Sequence, residues 1–219
     1  STSRNWAVWV PDYLDRFPPD PLRYHLTANL PETGDADFTW AEYVRRNNDE
    51  LVATFGNLVH RVLTQVYRNF DGCIPDPGKL GEDDKVLMSS ADQAFVTVAK
   101  SIEAVRLREG LVGAMSLARE TNRYLDAQAP WQKVKTDKPA AARSLFTATY
   151  CLMALRVLMY PYVPFSAQRL HQLLGQNGAV EEIGWNSVAP EPGCSIPEPK
   201  PLFTKLDDSI AEEMLGQLG

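Results

Sequence analysis

Apolar positions between residues 51 and 70 recur at helical spacing. Wound at about 100° per residue, Leu51, Phe55, Leu58, Val59, Val62, Leu63, Val66 and Phe70 fall on one arc, of a width suited to a helix in a bundle. Ahead of them, Thr39-Trp40-Ala41-Glu42 has the Thr-x-x-Glu spacing of a capping box, in which hydroxyl and carboxylate each satisfy an amide at a helix start. The pattern predicts a long helix from there to about Phe70. Further helical patterns run from about Asp83 to Asp126, with a break near Gly110 or Gly113, from about Pro139 to Tyr160, where Pro161 stops it, and from Phe165 to Leu174.

The chain's two ends read differently. Prolines at 11, 18, 19, 21 and 31 forbid a long helix before Asp37, so a small mixed unit of short helices with one or two strands is expected there. Beyond Gly175, prolines at 190, 192, 197, 199 and 201 favour an extended segment, after which LDDSIAEEMLGQL offers a last amphipathic helix. The expected organisation is a mainly α protein: a short mixed segment over 1–38, a helical bundle over 39–175 and a tail over 176–219.

Composition narrows the class. The 44% hydrophobic content is enough for a core in a chain of 219 residues. No apolar stretch approaches the roughly 20 residues that cross a bilayer, and no leader pattern opens the chain, so a soluble intracellular protein is expected. Cys73, Cys151 and Cys194 are odd in number and far apart, which reads as free thiols and not as a disulfide framework or a zinc site. The net charge of −6 argues against indiscriminate binding to polyanions, yet residues 100–143 carry nine Lys/Arg against five Asp/Glu, while 181–219 carry two against eight.

Two stretches carry candidate chemistry. On the 51–70 wheel, Asn57, Arg61, Thr64, Gln65 and Arg68 form one polar arc of amide, hydroxyl and guanidinium groups without a carboxylate, with Asn57 and Arg61 about 40° apart. Such groups suit hydrogen bonding to bases or phosphates, and a plain solvated face is the other reading. In NRYLDAQAPWQKVK, residues 122–135, Pro130 must end or kink a helix, which brings Trp131 out beside Lys133 and Lys135 with Asn122 and Asp126 on the preceding turns. That Trp is placed either to stack on an unpaired base or to pack into the core.

Taken together these stretches resemble the methionyl-tRNA synthetase family over nearly the whole chain, from Ser1 to about Asp208. STSRN is similar to the end of that family's ATP-binding loop, Lys-Met-Ser-Lys-Ser in its common form. On this resemblance Ser1, Ser3 and Arg4 are remnants of a catalytic loop, Thr2 stands where the family has a Lys, and the chain begins inside that loop. PDYLDRFPPDPLRYHLTANLPETGDADFTWAEYVRRNNDELV resembles the family's stem-contact segment and its entry into the anticodon-binding bundle. NLVHR supplies the family's anticodon-reading Asn and Arg as Asn57 and Arg61. QAPW supplies Pro130 and the stacking Trp as Trp131, with Asp126 matching five residues earlier. PLFTKLDD is similar to the closing segment that packs back toward the catalytic side.

The resemblance implies the C-terminal part of a methionine–tRNA ligase that recognises the CAU anticodon of methionine tRNA. An amide and a guanidinium can pair with the edges of splayed bases, while an indole gives a stacking platform. It implies no metal or cofactor held by this chain, ATP and Mg2+ for the parent reaction, a Rossmann-type catalytic domain as partner, a monomer, and a cytoplasmic location. The chain alone is expected to be inactive. A reading from another class stays open: a non-catalytic tRNA-binding or protein-interaction module that keeps the bundle.

Overall fold

The computed structural model describes residues 9–32 and 37–216. Among them the chain is helical, with one isolated antiparallel bridge, Cys73 to Ser195. The proline-rich start folds as α1 (Val10–Leu14) and α2 (Pro19–Ala28), each with proline in its first turn, where the missing amide costs nothing. Sequence allows one or two strands in this segment, and its described part holds the two helices alone.

The long helix predicted to Phe70 is present as a rod of three parts: α3 (Trp40–Arg46), a π-helical stretch (Asn47–Gly56) and α4 (Asn57–Asn69). Thr39 caps it by accepting from the Glu42 amide at 3.2 Å. The other half of the capping box is not made, because the Glu42 carboxylate turns to Arg45, at 2.7 Å from both Nε and Nη2. All the apolar positions of the wheel are buried except Phe70, which is partly covered.

The predicted 83–126 helix is two antiparallel helices, α5 (Glu82–Glu103) and α6 (Leu107–Gln128). The break lies at 104–106 and not at a glycine. Val105 takes a left-handed φ of 58°, and the Ile102 and Ser101 carbonyls accept from the amides of Val105 and Arg106. Gly110 serves packing instead: a Cβ there would run into the Tyr162 hydroxyl. After the four-residue α7 (Pro130–Lys133) comes α8 (Lys138–Leu158), buried on every side but for Arg143 from Ala140 onward. A helix apolar all round belongs at the centre of a bundle. Its hydroxyls are satisfied within the helix, Ser144, Thr147 and Thr149 donating to carbonyls four residues back at 2.9, 3.0 and 2.7 Å. α9 (Pro164–Leu173) completes the bundle.

Apart from a short 3-10 turn (Val180–Ile183) the tail is extended, and it is tied to the bundle by hydrogen bonds in both directions. Asn47 and Asn48 donate to the Thr204 and Leu206 carbonyls at 3.0 and 2.9 Å, Arg169 to those of Pro201 and Leu202, and Trp185 Nε1 to the Phe95 carbonyl. Ile74 and Ile196 exchange backbone bonds with Cys194 and Gly72 across the bridge. The closing helix α10 (Ser209–Gly216) follows, and Ile210 and Met214 pack beside α3. The three cysteines are free thiols, and among the described residues no helix is long and apolar enough to cross a membrane.

Candidate nucleic-acid interface

α4 presents its polar arc along the groove it shares with α6. Asn57 is exposed at the first turn of α4, and its side-chain amide makes no hydrogen bond among the described residues. One turn on, Arg61 is half-buried. Its Nη2 lies 2.8 Å from Asp126 Oδ1, its Nη1 is 3.5 Å from Asn122 Oδ1, and its guanidinium carbon stands 4.7 Å from the centre of the Trp131 ring. Three of the five predicted binding residues therefore meet: Arg61 from α4, Asp126 from the end of α6, and Trp131 from α7, with Asn57 one turn ahead of Arg61 on the same side of α4. The fifth, Pro130, is buried and sets the corner. The polar arc without a carboxylate thus gains one from its neighbouring helix.

The corner explains how two helices deliver these groups. Pro130 cannot continue α6, so α6 stops at Gln128, Ala129 takes a left-handed φ of 43°, and α7 starts at Pro130 with Trp131 next. Trp131 resolves the two options left by sequence into an intermediate: partly buried against the bundle core and carrying Arg61 over one face. Lys133 bonds the Gln128 side chain at 3.1 Å, and Lys135 is exposed.

A buried network fixes the far side of this corner. Tyr124 on α6 donates to Asp84 Oδ1, while Asp84 Oδ2 accepts from the Gly81 amide at 2.6 Å and from Arg143 Nε at 3.1 Å. Burial, with the adjacent Asp84 carboxylate, pushes the Tyr124 phenol well above its ordinary range, so it remains a donor. Sequence reasoning missed this network; its one signal was an acidic residue three positions after Gly81, at a helix start. Asn122 also reaches the π-helical stretch, donating to the Thr54 carbonyl at 3.1 Å.

The remaining arc residues divide. Gln65 is bonded to Asn69, the Thr64 hydroxyl is buried without a partner among the described residues, and Arg68 is exposed. Ser1, Ser3 and Arg4, together with Thr2, lie outside the described residues.

This arrangement offers a guanidinium oriented by a carboxylate over an indole face, with an exposed side-chain amide one helical turn away. Residues 74–218 match the profile of the anticodon binding domain of methionyl tRNA ligase, and residues 1–63 that of the class I tRNA synthetases of the methionine type. The methionine–tRNA ligase of Dehalococcoides mccartyi is 49% identical over all of this chain and 40% of its own length; that of Thermomicrobium roseum is 42% identical over 97% of the chain and 41% of its own. Mycobacterium tuberculosis methionyl-tRNA synthetase in its free state superposes with a TM-score of 0.84 at 26% identity, covering 91% of this chain and 41% of that one. Its complex with methionyl-adenylate gives 0.83 at 27%, covering 90% and 39%. The chain spans about two fifths of the length of the relatives it matches.

Proposed function

The chain belongs to the methionyl-tRNA synthetase family, in the part that carries its anticodon-binding domain, and from that premise we propose that it recognises the CAU anticodon of methionine tRNA through Asn57, Arg61, Asp126, Pro130 and Trp131. The meeting of Arg61 with Asp126 and Trp131, one turn after the exposed Asn57, carries this reading. Trp131 is the platform for an unpaired base. Asn57 and Arg61 pair with base edges, and Asp126 holds the guanidinium in place until they do. A base stacking on the ring face that Arg61 covers would exchange that cation–π contact for an RNA contact, so Arg61 turns from indole to base edge as the loop enters.

In this reading the parent reaction is ATP-dependent activation of methionine and transfer to tRNA. A Rossmann-type catalytic half carries it out, with ATP and Mg2+ acting there, and the present chain alone forms no methionyl-tRNA. Ser1, Ser3 and Arg4 belong to the end of that half's ATP loop. The exposed apolar side chains of Trp9, Val10 and Leu14 on and before α1 suit a face covered by the catalytic half. The working form is a monomer in the cytoplasm.

The test is binding of the chain to a methionine-tRNA anticodon stem-loop at fixed moderate salt, beside the same hairpin with its first anticodon base changed. Wild-type protein should lose affinity for the changed hairpin, and Trp131→Ala should lose about 1–3 kcal/mol on the cognate one. Equal binding to both hairpins by the wild-type chain would refute anticodon reading.

A further inference from the structure

A second cleft, sharing no residue with the Arg61 groove, opens between the start of α2, the start of α9 and the tail, and measures about 140 Å³. One ordered water takes up about 10–15 Å³ of such space, so a ligand of several heavy atoms fits. The walls are mostly apolar: Pro21 and Leu202 line the cleft with Phe165, whose 61% exposure places its ring at the mouth. Asp20 lines it as well and is 2% exposed. Its Oδ2 accepts the Ser166 amide at 2.6 Å, in the first turn of α9, while its Oδ1 is buried without a hydrogen-bond partner.

Capping α9 accounts for one oxygen of Asp20 and leaves the other unexplained. A buried carboxylate oxygen with no donor is costly, and folded proteins keep few of them. No cation pairs with Asp20 among the described residues. The guanidinium in the wall, that of Arg169, turns instead to the Pro201 and Leu202 carbonyls at 2.9 and 3.2 Å. Asn47, also in the wall, spends its amide nitrogen on Asn48 and Thr204 and leaves its side-chain oxygen without a donor among the described residues. The cleft therefore combines a negative charge, a second vacant acceptor and apolar sides. A positively charged donor answers the first two, and a carbon chain the third.

We infer that this cleft binds a small organic cation, an ammonium group on an apolar stem, with Asp20 as its counter-charge, Asn47 as a second acceptor and Phe165 covering the stem. Nothing in this depends on RNA, whose phosphates the Asp20 carboxylate would repel.

The probe is n-butylammonium, titrated into the 219-residue chain at constant ionic strength and followed by the amide NMR signals of Ser166 and Thr204. n-Butanol and potassium chloride are titrated alongside. Binding of n-butylammonium should saturate with a dissociation constant on the order of a millimolar, reasonable for so small a ligand, and n-butanol should bind about tenfold more weakly or less. Asp20→Asn should weaken n-butylammonium about tenfold or more, while its side-chain oxygen can still accept from Ser166 and keep α9 capped. Phe165→Ala, at a largely exposed position, should weaken it about threefold, and it decides the matter if Asp20→Asn does not fold. The inference is overturned if n-butylammonium does not saturate these signals, if n-butanol binds as tightly, or if potassium alone produces the same shifts. Wild-type affinity in the Phe165→Ala chain, or in a folded Asp20→Asn chain, would overturn it too.

Discussion

The bundle core and the aromatic cluster beside it share the 40–69 rod yet are held by different chemistry. Around α8 the packing is aliphatic and close, with Leu51, Leu58, Val62, Leu152, Leu155 and Leu158 fully buried. At the other end of the rod, Tyr13, Phe17, Trp40 and Tyr43 meet at ring-centre distances of 5.3–6.4 Å, joined by a 2.7 Å bond between the Tyr13 and Tyr43 hydroxyls and by Tyr13 donating to the Pro18 carbonyl at 2.9 Å. His25 adds a titratable ring against Phe38 and Tyr43. The difference teaches that one region is held mainly by filled volume, while the other is held by rings joined through placed polar atoms and a buried imidazole.

The largest effect should come from opening the bundle. Leu155→Ala, at a fully buried position in the last turn of α8, should cost about 2–5 kcal/mol in urea unfolding, with the same loss at pH 5 and pH 7. A strong pH dependence of that loss would break the contrast.

Acid should act on the aromatic cluster. Burial first, and then the Arg46 guanidinium, hold the His25 pKa down to about 4 from 6.5. The unfolded chain takes up that proton earlier, so the stabilisation is complete above about pH 6.5 and declines as pH falls toward 4, by up to about 3 kcal/mol. Near-ultraviolet signals from Trp40 should therefore fade before helix content does as pH is lowered, and His25→Phe should flatten that dependence. Simultaneous loss of both signals would mean that the two regions act as one cooperative unit.

The smallest effect sharpens the same point. Tyr13→Phe keeps the ring but leaves the buried Tyr43 hydroxyl without its partner, and should cost about 1–2 kcal/mol in urea unfolding. Burial already pushes the Tyr43 phenol up to about 12, so ionisation does not offer it an escape.

Much of the scaffold was legible because it is local. Thr39 before an apolar period, Pro161 after one and the prolines of the tail each act within a few residues, and the structure places the rod, α8 and the extended tail where they point. The turn at 104–106 was hidden, since Val105 carries no sign that it will adopt a left-handed backbone, while Gly110 and Gly113 look like breakers and sit inside a helix. The candidate site was legible in its members, Asn57, Arg61, Asp126 and Trp131, through resemblance and the wheel. That Arg61 would lie between Asp126 and Trp131 was not, because the contact spans more than sixty residues and is created by helix packing.

The ten-residue π-helical stretch between the two cores ends at Gly56, directly before Asn57. Its looser winding, closing hydrogen bonds one residue later than an α-helix, makes it a phase-setting element. Removal of a single residue between 47 and 56, with the winding of the stretch kept, would shift the phase of α4 relative to α3. Asn57 and Arg61 would then swing away from Asn122 and Asp126 while every helix survived. Length in this stretch, more than the identity of its residues, aims the reading face, and insertions or deletions there should be tolerated by the fold long before they are tolerated by the groove.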